Sequence, residues 1–231
     1  MSILKMLEDA ATVREENMPR NAILPSTRTT VACLAVAVGL LACATPEVRW
    51  VTDSETRFER NGISFLPPSG ENWAHAQSGP YGAAFGKLVI DAKGEPRTLI
   101  MAVINGQLKE KKYDLKTEGG FRQAVEYFVK DGAQSGFKVS KAQYSPAYRD
   151  QDTDCMKFES SIEQSNSPVH PGEVLLIEGK GIVCRHPTSP DYLVTSTFSE
   201  RRKLGRDTVM NDELWKEVEH SMSSVRFTPM K

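Results

Sequence analysis

The sequence predicts an α+β domain: a single, mainly antiparallel sheet with two principal helices. Three observations lead there. Short period-two stretches recur with turn or loop residues between them, and two of them with their loop suggest an antiparallel hairpin. Only two stretches carry the 3.6-residue apolar spacing of amphipathic helices within the domain. The order is strands, helix, strands, helix, which segregates the element types as α+β folds do.

Taken in order, Asn61 to Pro68 reads as an opening strand stopped by Pro67 and Pro68. Ser69 to Tyr81 is rich in Gly, Pro and polar residues and reads as loop, with Trp50, Trp73 and Tyr81 as candidate groove aromatics. Ala84 to Ala92 and Thr98 to Ile104 read as strands joined by a turn at Lys93-Gly94-Glu95-Pro96. Phe121, Ala124, Val125 and Phe128 fall at i, i+3, i+4, i+7 and predict a helix from Phe121 to Ser135, with Gly132 and Gly136 as stops. Phe137 to Tyr144 adds a strand. A last helix from Glu213 to Ser223, capped by Asn211 or Asp212, buries Leu214, Trp215, Val218 and Met222.

The region between the helices is the most informative. Asp154 to Glu163 puts Met156, Phe158 and Ile162 on one face and Cys155, Lys157, Glu159 and Glu163 on the other. Val174 to Arg185 is a second strand, and the loop between holds Ser165-Asn166-Ser167-Pro168-Val169-His170-Pro171-Gly172. Placing Cys155 opposite Cys184 centres the hairpin between Val169 and His170. The same register pairs Met156 with Val183, Ile162 with Ile177 and Glu159 with Lys180, and lays Phe158 over Gly181. A slip of one residue would turn each apolar side chain to the wrong face. A cross-strand Cys155–Cys184 disulfide is therefore expected. A third strand follows from Tyr192 to Ser199, after a loop at Pro187 to Asp191.

The chain has 231 residues, 39% hydrophobic and 26% charged, with a formal net charge of -1. That balance argues against a broadly basic nucleic-acid binder. Val31 to Ala44 reads VACLAVAVGLLACA, 14 residues without a charge. It falls short of the ~20 apolar residues that cross a bilayer and has the length of a signal-peptide core. Arg20 and Arg28 precede it, and no acidic residue occurs from Met18 to Ala42.

The run ends in Leu40-Leu41-Ala42-Cys43, which resembles the lipobox of bacterial lipoproteins. The resemblance implies that signal peptidase II cuts before Cys43 and that Cys43 is acylated. It implies a bacterial envelope location and a membrane partner through the lipid anchor. Ala44 rather than Asp after the Cys points to the outer membrane, facing the periplasm. Residues 1–17 carry Glu8, Asp9, Glu15 and Glu16, unlike a basic leader, so translation is expected to start at Met18. The expected organisation is a leader over residues 1–42, a lipidated tether over 43–59 and one domain over 60–231.

The opening F-L-P-P strand, the central helix before a meander and the C-terminal helix ending in S-S-V-R-F resemble the Mog1/PsbP-like α/β/α sandwich. That resemblance implies binding or assembly more than catalysis.

Motifs for chemistry are sparse. His75, His170, His186 and His220 include no i, i+4 pair, so no metal site is expected. Asp150 to Asp154 begins like a calcium loop, but Cys155 and Ser161 stand where Gly and Glu are required. There is no nucleophile elbow or phosphate loop, and no cofactor is expected. Arg201-Arg202-Lys203 with Arg206 is a basic cluster suited to an anionic envelope polymer or acidic headgroups. The expected role is a non-catalytic lipoprotein binding an envelope partner. The alternatives are an enzyme with a spatially assembled site, or a small-ligand carrier, which needs an apolar cavity.

Overall fold

The computed structural model describes residues 49–107, 113–130, 137–145, 148–150, 153–165, 167 and 170–231. The leader, Cys43 and the tether up to residue 48 lie outside the described residues. So do the predicted helix stops at Gly132 and Gly136.

The strands are β1 (Phe58–Arg60), β2 (Ile63–Phe65), β3 (Trp73–Gly79), β4 (Gly82–Ile90) and β5 (Pro96–Gln107). Helix α1 (Glu118–Lys130) precedes β6 (Phe137–Tyr144), β7 (Tyr148–Asp150), β8 (Thr153–Gln164), β9 (Leu175–His186) and β10 (Ser189–Lys203). Helix α2 (Asp212–Ser223) and β11 (Arg226–Phe227) close the chain. The large sheet has eight strands in the order β3-β4-β5-β10-β9-β8-β6, with β7 also paired to β8. Its pairings are all antiparallel among the described residues. The fold is α+β, and a small second sheet, β1-β2-β11, accompanies the main one.

Consecutive residues of a strand point to opposite faces. Leu193 of β10 joins the cluster of Phe121, Ala124 and Val125 from α1 with Met156, Phe158 and Val183. Its neighbours Val194 and Phe198 join Leu214 and Val218 of α2 with Trp73, Phe85, Leu99, Met101 and Val103. The two helices thus lie on opposite faces of the sheet. Burying each large apolar side chain is worth ~1.5–3 kcal/mol, so both clusters matter to stability.

Hairpin β8–β9 has the predicted register: Cys155 faces Cys184, Met156 faces Val183, Phe158 faces Gly181, Glu159 faces Lys180 and Ile162 faces Ile177. A Cβ on Gly181 would stand 2.7 Å from the Phe158 ring, so the glycine makes room for it. Lys180 pairs with Glu159 at 3.1 Å.

Four segments differ from expectation. Ser69 to Tyr81 is not all loop, because β3 runs through it and sends Trp73 and His75 to the core side opposite Lys87 and Phe85. The turn residues that suggested a loop, Gly70, Gly79 and Pro80, flank this strand or end it. The segment read as tether up to Glu59 is joined to the domain from Arg49 onward. Val51 N donates to Trp73 O at 2.8 Å, His75 N to Arg49 O at 2.8 Å, and β1 pairs with β2. Strand β10 continues through Arg201-Arg202-Lys203, so that basic cluster begins inside a strand rather than after it. Finally, β2 is shorter than the predicted opening strand. The chain turns at Gly62, where φ is +81° and a Cβ would clash with Asn105 and Met230.

Candidate functional site

Helix α2 crosses one face of the sheet over β10. Asn211 caps it, its side chain accepting from Leu214 N at 2.9 Å, as the sequence predicts. Leu214 and Val218 point into the core, while Trp215 and Met222 are only half-buried. They are half-buried because they form one bank of a cleft of about 630 Å³ between α2 and strands β8, β9 and β10. Val225 and Phe227 continue that bank past the helix end.

The floor follows from the register as three rows across β8, β9 and β10. The first row is Cys155, Cys184 and Val194; the second is Lys157, Ile182 and Ser196; the third is Glu159, Lys180 and Phe198. Cys155 and Cys184 are joined by a disulfide with Cα atoms 4.0 Å apart, and Cys184 lines the cleft. At the third row Trp215 packs edge-on to Phe198 at 5.3 Å, and the Lys180 ammonium lies 5.2 Å from the Trp215 ring centre. Exposed Lys157, Glu159 and Glu219 edge the mouth. Ser196 is 5% exposed, and its hydroxyl has no hydrogen-bond partner among the described residues. The cleft is therefore mainly apolar, charged in both signs at its mouth and third row, and its floor carries one buried hydroxyl without a hydrogen-bond partner among the described residues.

The predicted histidines do not converge on it. His186 is buried, its Nε2 2.9 Å from Gly62 O and 3.1 Å from Thr228 O, so it ties the end of β9 to the β1–β2 turn and the C-terminal segment. His170 pairs with Glu173 at 3.4 Å in the β8–β9 loop. His220, on the last helix, has Nε2 3.3 Å from Ser54 O and packs against the N-terminal segment. His75 is held between Phe58 and Phe85, with ring centres 5.5 and 5.3 Å away. Burial holds its imidazole pKa below the ordinary value, and Arg49 and Arg60 push it the same way. No group of three metal-binding side chains occurs among the described residues.

The basic cluster is spoken for. Arg202 pairs with Glu178 at 2.6 Å and buried Glu200 at 3.4 Å, Lys203 with Glu173 at 3.0 Å, and Arg206 with Glu95 at 2.8 Å. Arg201 donates to Ser167 Oγ at 2.7 Å. Asp154 of the calcium-like run pairs with Arg185. Trp50, Trp73 and Tyr81 form no groove: Trp73 is fully buried, whereas Trp50 and Tyr81 are exposed.

Fold and site define an α+β domain with an apolar cleft beside its C-terminal helix. No protein-family model matches the chain, and no curated protein matches it. The chain is similar to the crystal structure of LpqN, described as involved in cell envelope biogenesis of Mycobacterium tuberculosis. Their sequences are 14% identical, with a TM-score of 0.40 over 75% of this chain and 90% of that one. A likeness at that level assigns neither a family nor a role. No helix among the described residues is long and apolar enough to cross a membrane.

Proposed function

We propose that this protein is a bacterial envelope lipoprotein, acylated at Cys43, whose domain binds a partner or ligand rather than transforming one. The observation that carries the reading is the division of its cysteines. Cys43 ends the lipobox-like Leu40-Leu41-Ala42-Cys43. Cys155 and Cys184 stand directly opposed in a hairpin, a pairing suited to an oxidising periplasm. Two or three acyl chains on Cys43 make a stable anchor without a spanning helix. Ala44 after the Cys favours the outer membrane. The layering of α1, sheet and α2 is in keeping with the Mog1/PsbP-like sandwich that the sequence resembles.

Labelling cells with a fatty-acid analogue tests the anchor. Wild-type protein takes up label and Cys43→Ala does not. Unlabelled wild type, or equal labelling of both, overturns the reading.

A second reading, a small-ligand carrier, is favoured by the cleft beside α2. Its volume lies within the ~300–1,000 Å³ usual for ligand sites, and its lining is mainly apolar. This reading is compatible with the anchor, which would keep the carrier at a membrane surface.

A further inference from the structure

The cleft beside α2 has features that restrict what fills it, and the inference drawn from them rests on the ligand-carrier reading. Its apolar lining comes mainly from β9, β10 and the α2 bank, with Phe158 of β8 beside Gly181. On the β8 side, exposed Lys157 and Glu159 mark where apolar surface ends. The apolar strip is thus about two strands wide, ~10 Å. A strip of that width in a cleft of about 630 Å³ accommodates a single extended hydrocarbon chain laid along it.

The cleft is also graded from end to end. Cys184, Val194, Met222, Val225 and Phe227 line one end without a charge. The other end holds the Lys180–Glu159 pair against Trp215, with Glu219 nearby. Between them the Ser196 hydroxyl is buried without a partner among the described residues, opposite Ile182 in the floor. A buried hydroxyl left unpaired costs free energy, and a ligand acceptor atom at that depth would remove the cost.

We propose that the cleft binds a single-chain acyl ester amphiphile. The hydrocarbon chain lies along the uncharged end, the ester carbonyl accepts from the Ser196 hydroxyl, and the polar head stays at the mouth among Lys180, Glu159 and Glu219. The mixed charge at the mouth suits a zwitterionic head.

Lauroyl lysophosphatidylcholine, used below its micelle concentration with the disulfide-bonded mature chain, is the direct probe. An environment-sensitive apolar dye is the competitor. The expected result is saturable displacement of the dye by the ester. Met222→Glu, at a half-buried helix position, abolishes binding of both while leaving the melting curve cooperative. The matching ether-linked lipid binds wild type about five-fold more weakly, the worth of one hydrogen bond, and Ser196→Ala erases that preference.

Dye binding that Met222→Glu abolishes but no amphiphile displaces would overturn the amphiphile and leave the ligand-carrier reading standing. Binding of neither dye nor lipid overturns both. An equal ester preference in Ser196→Ala removes Ser196 as the ester's donor.

Discussion

Glu217 of α2 accepts from the Trp73 indole at 2.8 Å and pairs with Lys87 at 2.6 Å. Trp73 is fully buried and Lys87 nearly so, which makes this carboxylate the polar bolt between helix and sheet. Glu217→Ala leaves both donors without it and is expected to cost about 1–3 kcal/mol in urea unfolding. Residue-scale electrostatics also set the response to acid. The lowered pKa of His75 means that the unfolded chain binds its proton more readily. Its stabilising contribution is present above the unfolded value of 6.5 and is lost as pH falls through the lower folded value. Thermal melts should decline on acidification from neutrality, and His75→Phe should remove that slope. Asp91, whose pKa is lowered first by the Glu95 amide, and Glu173, lowered first by Lys203, act in the same direction at lower pH. Their contributions are present above the unfolded values of 3.8 and 4.5 and disappear as pH falls below them. A melting temperature that rises from pH 7 to pH 5 in the wild type would contradict the His75 assignment.

At the scale of elements, hairpin β8–β9 carries a covalent tie between its strands. Its disulfide spans a sequence separation of 29 residues. Closing such a loop contributes ~3–4 kcal/mol in the chain-entropy model, so Cys155→Ser with Cys184→Ser should lower the urea midpoint by the corresponding amount. Gly181→Ala tests the register itself. The new methyl meets Phe158 and the Ser196 carbonyl oxygen at 2.7 Å, and the overpacking should cost ~1–3 kcal/mol by the same measurement. This hairpin was legible in the sequence because three local signals agreed: alternation, a proline-containing turn, and two cysteines equidistant from it. β3 was not, since its short core-facing pattern, Trp73 and His75, is hemmed by Gly and Pro. The cleft was not legible either. Trp215 and Met222 have helical spacing that reads as core, and nothing local says that the surface facing them turns charged at β8. Ile182, Val194 and Ser196 meet them only through tertiary packing.

Across the whole molecule, the β3 border of the sheet is covered. The Arg49–Val51 segment pairs with the outer side of β3, and Trp50 forms a bridge with Ala74. Truncating the chain to begin at Asp53 would bare those backbone groups. An exposed sheet edge invites pairing with another copy, so the truncated domain should sediment as oligomers while the longer chain stays monomeric. A monomeric truncation would show that the segment does not guard the edge. The same scale explains why the basic run at Arg201 to Lys203 misled as a surface patch. In the folded chain its cations are distributed over Glu178, Glu200, Glu173 and Ser167, which come from three other places in the sequence or from β10 itself.

If Cys43 is acylated, the docking of Arg49 onto β3 also limits how far the domain can travel. Only five residues separate it from Cys43, a leash of at most ~22 Å however they are arranged. With Cys43 acylated, the leash and the body of the domain confine the cleft to a thin shell above the bilayer. Within that shell, a molecule held in the same membrane meets the cleft at a higher effective concentration than if both diffused freely. A weak intrinsic affinity is then enough for frequent occupancy, and rapid release comes with it. Lengthening the segment between Cys43 and Arg49 would dilute that encounter without altering a single contact in the cleft.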